Sequence, residues 1–436
     1  MALSFSIPVQ QNNAPNSQPP GRFYYGWVIL GGSVLAMALG SGVSFWAFGL
    51  YVDPMEQEFG WSRAEVSAGF SVSLAISGLS GPLIGRWVDA RGARSAILVG
   101  AIMTAVTYLL LATTSSLWQW FLYLSINAVF RQLMFFIPFQ ALISRWFDRK
   151  RGMALGILGT GFSLGGFVVL IMAFVIDEIG WDGSFIFSAV AVLVLFIPLA
   201  VFVLKNDPSE VGAYIDGESD EQAEERSRAG PLRGLTAREA LKTPLFWLLA
   251  AAMTLFFFGV FGWLVHQVPF YESVGVDRGV AAALVTIMAA GGIVARLGFG
   301  FIVDRFERVE IAAMGLLAFL TTAMVVLLIN STAPGITIFL MLWIVGSGGG
   351  PLLEPLLLTR SFGLKHFATI LGTLGVVETV GIIASPTLAG LIFDSTGSYD
   401  LALVMLASAL AAAFVLFYLA SRLPHPVDAT QAPAPA

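Results

Sequence analysis

Apolar side chains run through this chain in blocks of about 20 residues or more, parted by short polar stretches that hold most of the charge. A helix of about 20 apolar residues crosses the roughly 30 Å hydrocarbon core of a bilayer while bonding every backbone group internally. Twelve such spans are predicted, at 24–50, 67–88, 95–115, 117–144, 152–176, 183–204, 244–268, 279–302, 310–330, 335–358, 367–392 and 399–421. Residues 205–243 are the only long polar insertion and divide the spans into two sets of six. The predicted organisation is a disordered tail at 1–23, a bundle at 24–204, a solvated linker at 205–243, a bundle at 244–422 and a tail at 423–436. Within the linker, TAREALKT (236–243) reads as a short surface helix.

Composition turns this pattern into a class. Hydrophobic residues make up 57% and charged ones 12%, far from the balance of soluble domains. The expected fold is an all-α membrane protein of two pseudo-symmetric six-helix bundles. Residues 1–20 are uncharged and rich in Pro, Asn and Gln, unlike a secretory signal. With no cysteine, disulfides, thiolate metal sites and cysteine catalysis are excluded; no cofactor, metal or nucleic-acid partner is expected. Of the 23 Lys and Arg, nineteen lie in the tails and at the even-numbered connections. That bias predicts a multi-pass protein with both termini cytoplasmic; the expected location is the bacterial inner (plasma) membrane. Oligomeric state is not fixed by sequence, and a monomer satisfies everything above.

A shift of 215 residues brings Pro54 onto Pro269, Gly60 onto Gly275, Arg63 onto Arg278, Gly85 onto Gly300, Asp89 onto Asp304, Arg145 onto Arg360 and Phe147 onto Phe362. Seven landmarks at one offset mark an internal repeat. Parallel six-span halves characterise secondary transporters, whose substrates sit near the midplane where the halves meet. GRWVDARGAR (85–94) and GFGFIVDRFER (298–308) occupy equivalent short loops. Small Gly85 and Gly300 allow close helix approach, and Asp89 and Asp304 can hold basic groups or helix N-termini in one conformation and release them in another. With Arg94 and Arg305 they form a candidate gate, although Arg91, Arg94 and Arg308 equally fit a plain role at the water interface.

These loops resemble the signature of the major facilitator superfamily. RWFDRKRGMALGILGTGFSLGG (145–166), YYGWV (24–28) and HQVPFYESVGV (266–276) are similar to segments of the monocarboxylate transporter family and of bacterial oxalate/formate antiporter-like carriers. The resemblance spans essentially 22–422 and implies carriage of a small carboxylate anion, with protons or in exchange for another anion. In that family an Arg occupies the place of Arg296, within V-A-R followed by small residues. Its animal members carry an acidic residue one turn earlier that is implicated in proton coupling; the matching residue here is Gly292.

Three charges lie deep in predicted spans. Counted at ~1.5 Å per residue, Arg131 is roughly 20 Å from either end of its span, Glu378 about 17 Å into its own, and Arg296 about 12 Å from Asp304. A mid-helix Arg costs about 2.5–3.5 kcal/mol on insertion scales, so such residues face a cavity or a partner. Arg296 is either the fixed cation that attracts a carboxylate or one member of a buried ion pair with Glu378. Glu378 either exchanges a proton or forms a static salt bridge or interior hydrogen bond. Arg131 shares a helix face with Tyr123 and Asn127, giving either a second cation for substrate or a scaffold. His266 guards an entrance or caps a helix, Glu354 is an interface or gate residue, and GSGGGP (346–351) is a bending or close-packing point rather than a phosphate loop, having no Lys-Ser/Thr. Trp46 and Trp343 are expected to line the cavity. The expected function is proton-coupled transport of a monocarboxylate of lactate or pyruvate type by alternating access. Exchange of oxalate/formate type, transport of drugs or inorganic anions, and a non-transporting solute sensor are the alternatives. No nucleophile–base pair favours an enzyme.

Overall fold

The computed structural model describes residues 23–219, 222 and 234–429. The expected tail at 1–22, the middle of the linker and residues 430–436 lie outside the described residues. The described part is helical, with one isolated bridge between Gly234 and Gly363.

The spans are α1 (Gly26–Ser44), α2 (Arg63–Arg91), α3 (Ala93–Leu111), α4 (Leu117–Met134 and Phe136–Trp146), α5 (151–179), α6 (181–198), α7 (Pro244–Ser273), α8 (Arg278–Val303), α9 (Val309–Ile329), α10 (Ala333–Ser347 and Gly350–Phe362), α11 (Phe367–Thr396) and α12 (Asp400–Ser421). By length and apolarity alone eleven helices qualify as spans, because α5 and α6 run together; Gly180, at φ 78° and ψ 170°, breaks them into two. Two breaks are not legible in the apolar pattern. α1 gives way after Ser44 to a 3-10 turn (Trp46–Tyr51) and a second helix (Val52–Phe59), and α4 is interrupted at Phe135.

The 215-residue repeat has a structural counterpart. Gly60 (φ 69°) and Gly275 (φ 84°) each turn the chain left-handed after the first helix of a half, where a side chain would be strained. Ser62 and Asp277 then cap α2 and α8. Arg63 pairs with Asp53 at 3.0 Å and Glu56 at 2.9 Å, and Arg278 with Glu272 at 3.7 Å. These residues define an acidic end of the molecule; the Asp89 and Asp304 turns lie at the opposite, basic end.

Lipid tails are as apolar as leucine, so helices in a membrane associate through close packing of small residues rather than burial from water. Gly161 and Gly165 of α5 lie directly on α1, where a Cβ would come within 2.6 Å of the Val34 carbonyl and 2.0 Å of Ser41 Oγ. Large apolar side chains cover the outside, among them Leu170 (72% exposed), Phe202 (74%) and Ile329 (79%), a belt suited to lipid and unsuited to water.

The linker is docked at both described ends. Asp216 accepts from the backbone N–H groups of Asp148 and Arg149 ahead of α5, and Leu235 N–H donates to the Phe362 carbonyl at the end of α10. Thr236 and Glu239 form a capping box on the one-turn helix Ala237–Ala240. The tail from 423 also begins as structure: a turn of helix (Pro426–Ala429) follows His425, which bonds Glu310 at 2.9 Å, and Arg308 donates to the Ser421 and Leu423 carbonyls.

Candidate functional site

At the basic end each half caps a helix of the other. Asp89, at the end of α2, accepts from Ala368 N–H at 3.1 Å, Thr369 N–H at 2.8 Å and Thr369 Oγ1 at 2.6 Å, at the first turn of α11. Asp304, just beyond α8, accepts from Gly152 N–H at 2.7 Å and Met153 N–H at 3.1 Å, at the first turn of α5. A carboxylate there satisfies orphan amides and meets the positive end of the helix dipole. Burial pushes the Asp304 carboxyl above the ordinary Asp range, against the pull of the two N–H bonds and of Arg360 and Arg151. Acid therefore favours this arrangement over one that returns Asp304 to water.

Glycines let the halves meet so closely. A Cβ on Gly85 would lie 2.1 Å from the Ala368 carbonyl, one on Gly372 2.1 Å from the Gly81 carbonyl, and one on Gly300 2.8 Å from the Gly152 carbonyl. Arg94 does not cross between halves: its Nε and Nη2 donate to the Ala200 and Val201 carbonyls. Arg91 stacks over Trp87 at 4.6 Å, and Arg305 is exposed at the basic surface.

Arg296 lies on α8 where it crosses α5. Its Nη1 donates to the Gly159 carbonyl and to Ser163 Oγ, both at 2.8 Å, so a cation of one half is held by the other. Its Nε is buried with no hydrogen-bond partner. Arg296 and Glu378 form no ion pair, which removes the static-bridge alternative in this conformation. The GSGGGP stretch explains how α8 fits here: α10 breaks at Gly348–Gly349, and a Cβ on Gly348 would press within 2.9 Å of the Arg296 backbone nitrogen. No side-chain hydrogen bond joins the halves farther toward the acidic end than this level among the described residues.

Glu378, 5% exposed on α11, has its Oε1 without a partner. Its neighbour is Glu354 of α10, close enough for the two carboxyl groups to interact by hydrogen bond. Two carboxylates that share a site repel unless a proton lies between them. The sequence assigned Glu354 to an interface or gate; the fold sets it against Glu378, through the α10 break, which brings the start of the second α10 helix alongside α11.

Arg131 is apart from Arg296. With Asn127 it lines a cavity inside the N-terminal half, donates Nη1 to the Ser44 carbonyl at 3.0 Å and lies near Tyr108. Asn127 Nδ2 donates to Thr107 Oγ1 at 2.9 Å, and Tyr123 packs on the core without lining that cavity. His266 has both ring nitrogens engaged: Nε2 must donate to the Pro386 carbonyl at 2.9 Å, leaving Nδ1 to accept from Tyr399 at 3.2 Å. Trp343 is a correction, for it is 4% exposed within a cluster with Trp263 and Phe339. Trp46 is 37% exposed and donates to the Phe162 carbonyl. Ser163 and Gly159 were invisible in sequence as partners of Arg296; the only signal was a small-residue helix in the first half against a buried charge in the second.

Twelve spans in two repeated halves, clamped at one end and meeting around a buried charge, are the architecture of a secondary transporter. The chain belongs to the Major Facilitator Superfamily, whose sequence profile matches residues 34–359 and again 273–436; it is a transporter rather than an enzyme. It is 24% identical over 416 residues to monocarboxylate transporter 12 of Rattus norvegicus, covering 89% of this chain and 83% of that protein. It is 26% identical over 298 residues to the oxalate:formate antiporter of Oxalobacter formigenes, covering 68% of each. Proteins of Aspergillus flavus and Gibberella moniliformis named only as superfamily transporters are also similar. The structure of the proton:xylose symporter XylE superposes with a TM-score of 0.73 at 13% identity, over 94% of this chain and 99% of that one, a likeness of fold.

Proposed function

We propose that this protein carries a small monocarboxylate across a membrane by alternating access, coupled to protons. The observation that carries the reading is the state of Arg296: a permanent cation at the junction of the halves, without a carboxylate partner and with Nε unfilled. The Nε–Nη2 edge of a guanidinium is a planar fork that matches a carboxylate bidentately. Similarity to a monocarboxylate transporter and to an oxalate:formate antiporter supports the same class of cargo.

Glu378, with Glu354, is the proposed proton site. An anion on Arg296 and a proton on the carboxyl pair together reduce the charge that must be sealed from water when the chamber closes, and an unneutralised buried charge is costly. The Arg and Lys bias supports cytoplasmic termini, which makes the clamped basic end the cytoplasmic gate and the conformation one reached from outside. Gly85, Asp89, Gly300 and Asp304 are the clamp; Arg94 and Arg305 belong to the same basic surface. Exchange of one anion for another is the second reading, favoured by the antiporter relative.

Purified protein in vesicles, offered labelled lactate, pyruvate, oxalate and formate, tests this. Wild type should accumulate at least one of them, and Arg296→Gln should lower uptake at least about 30-fold, the equivalent of ~2 kcal/mol for a lost charge-assisted contact. Indifference to every carboxylate overturns the reading.

A further inference from the structure

The cavity around Arg131 lies wholly within the N-terminal half, walled by residues of α1, its following turn, α2, α3, α4 and α6, and Arg296 is not among them. Nearly half of its walls are aromatic, including Phe48, Phe70, Trp120 and Phe185. Into this surrounding the protein places a guanidinium that stays charged at any physiological pH. One carbonyl, that of Ser44, accepts from it, and among the described residues no carboxylate comes within ion-pair distance. Tyr108, 2% exposed on the same cavity, has the Ser44 side chain beside its hydroxyl but makes no hydrogen bond of full geometry.

A buried charge left in this state is expensive, and proteins that keep one supply a counter-charge. No described residue of the chain supplies that counter-charge. Available donors are the guanidinium, the Tyr108 hydroxyl and the electropositive edges of the aromatic rings. The lining leaves room for about one water-sized sphere, or two at most, beside the guanidinium, a space that a halide fits.

We infer that the N-terminal half holds a small monovalent anion of chloride size between Arg131 and Tyr108, at a site separate from the Arg296 junction. Because Arg131 also takes the carbonyl of Ser44, the last residue before the α1 break, the anion fastens that break and acts as a structural ligand of the half.

The test is thermal unfolding of the full-length purified protein in sodium methanesulfonate, chloride and bromide at one ionic strength. Chloride and bromide should raise the midpoint by a few degrees and saturate, as a ligand bound only to the folded state does. Arg131→Gln should abolish that shift and Tyr108→Phe diminish it, while Arg131→Lys, which keeps the charge, retains part of it. Should Arg131→Gln fail to fold, the Tyr108 and Lys variants carry the comparison. Arg296→Gln, whose junction is disabled, should keep the full halide shift. The inference is overturned if wild type shows no halide shift, which leaves water in the cavity, or if the shift is equal in the Arg131 and Tyr108 variants and wild type. It is equally overturned if the shift vanishes with Arg296→Gln alone, which moves the halide to the junction and leaves the carboxylate reading standing.

Discussion

Arg296 is tied by one nitrogen to Gly159 and Ser163 and unfilled at another, so it is a strut between the halves and, in the function proposed above, the receptor for the anion. Glu378 and Glu354, neighbours in the C-terminal half, are the proton site in the same proposal. Glu378→Gln keeps the shape and removes the titration; anion-driven proton entry, followed with a pH dye inside vesicles, should disappear while exchange of labelled for unlabelled anion continues. Unchanged proton entry would take Glu378 out of the mechanism. The depth of Arg296, Arg131 and Glu378 could be counted from the sequence because each interrupts an apolar run. Their partners could not. Ser163 is 133 residues from Arg296 and looks like packing, and Arg131 and Arg296 look alike in a linear pattern although one faces the junction and the other the inside of a bundle.

Among elements, the α2–α11 and α5–α8 contacts carry the closure of the basic end. Backbone lies opposite backbone there: Gly81 and Gly372 face one another, and Gly85 faces the Ala368 carbonyl. A side chain can move aside for an added methyl; a carbonyl in a helix cannot. Gly372→Ala should therefore shift the population toward a basic end that is open, by about 1–3 kcal/mol if overpacking in a close contact is the guide. The chain has no cysteine, so a single Ser163→Cys reports this directly. An impermeant maleimide applied from the acidic side should label it readily, and several-fold more slowly once Gly372→Ala is added. Gly85 and Gly300 were legible because the repeat doubled them; Gly81 and Gly372, which have no glycine at that offset, were not. The breaks in α1 and α4 were not, since Phe45 and Phe135 are as apolar as their neighbours and tertiary packing decides their backbone.

For the whole molecule, the periodic apolar runs and the fixed offset made the two-bundle architecture readable before any coordinate. Orientation rests on the distribution of Lys and Arg and has its own prediction. In intact cells, cysteine placed at Arg278 should react with an impermeant reagent, and cysteine at Arg305 only after the membrane is opened; the reverse pattern would invert the topology.

The two aspartate caps are crossed: the first half holds a helix of the second through Asp89, and the second holds a helix of the first through Asp304. As the proposed gate, the two grips resemble a pair of hands clasped rather than a bolt in a socket. Parting them strips two helix ends and two carboxylates of company in one stroke, which favours a gate that stands fully shut or fully open over any ajar position that leaks ions.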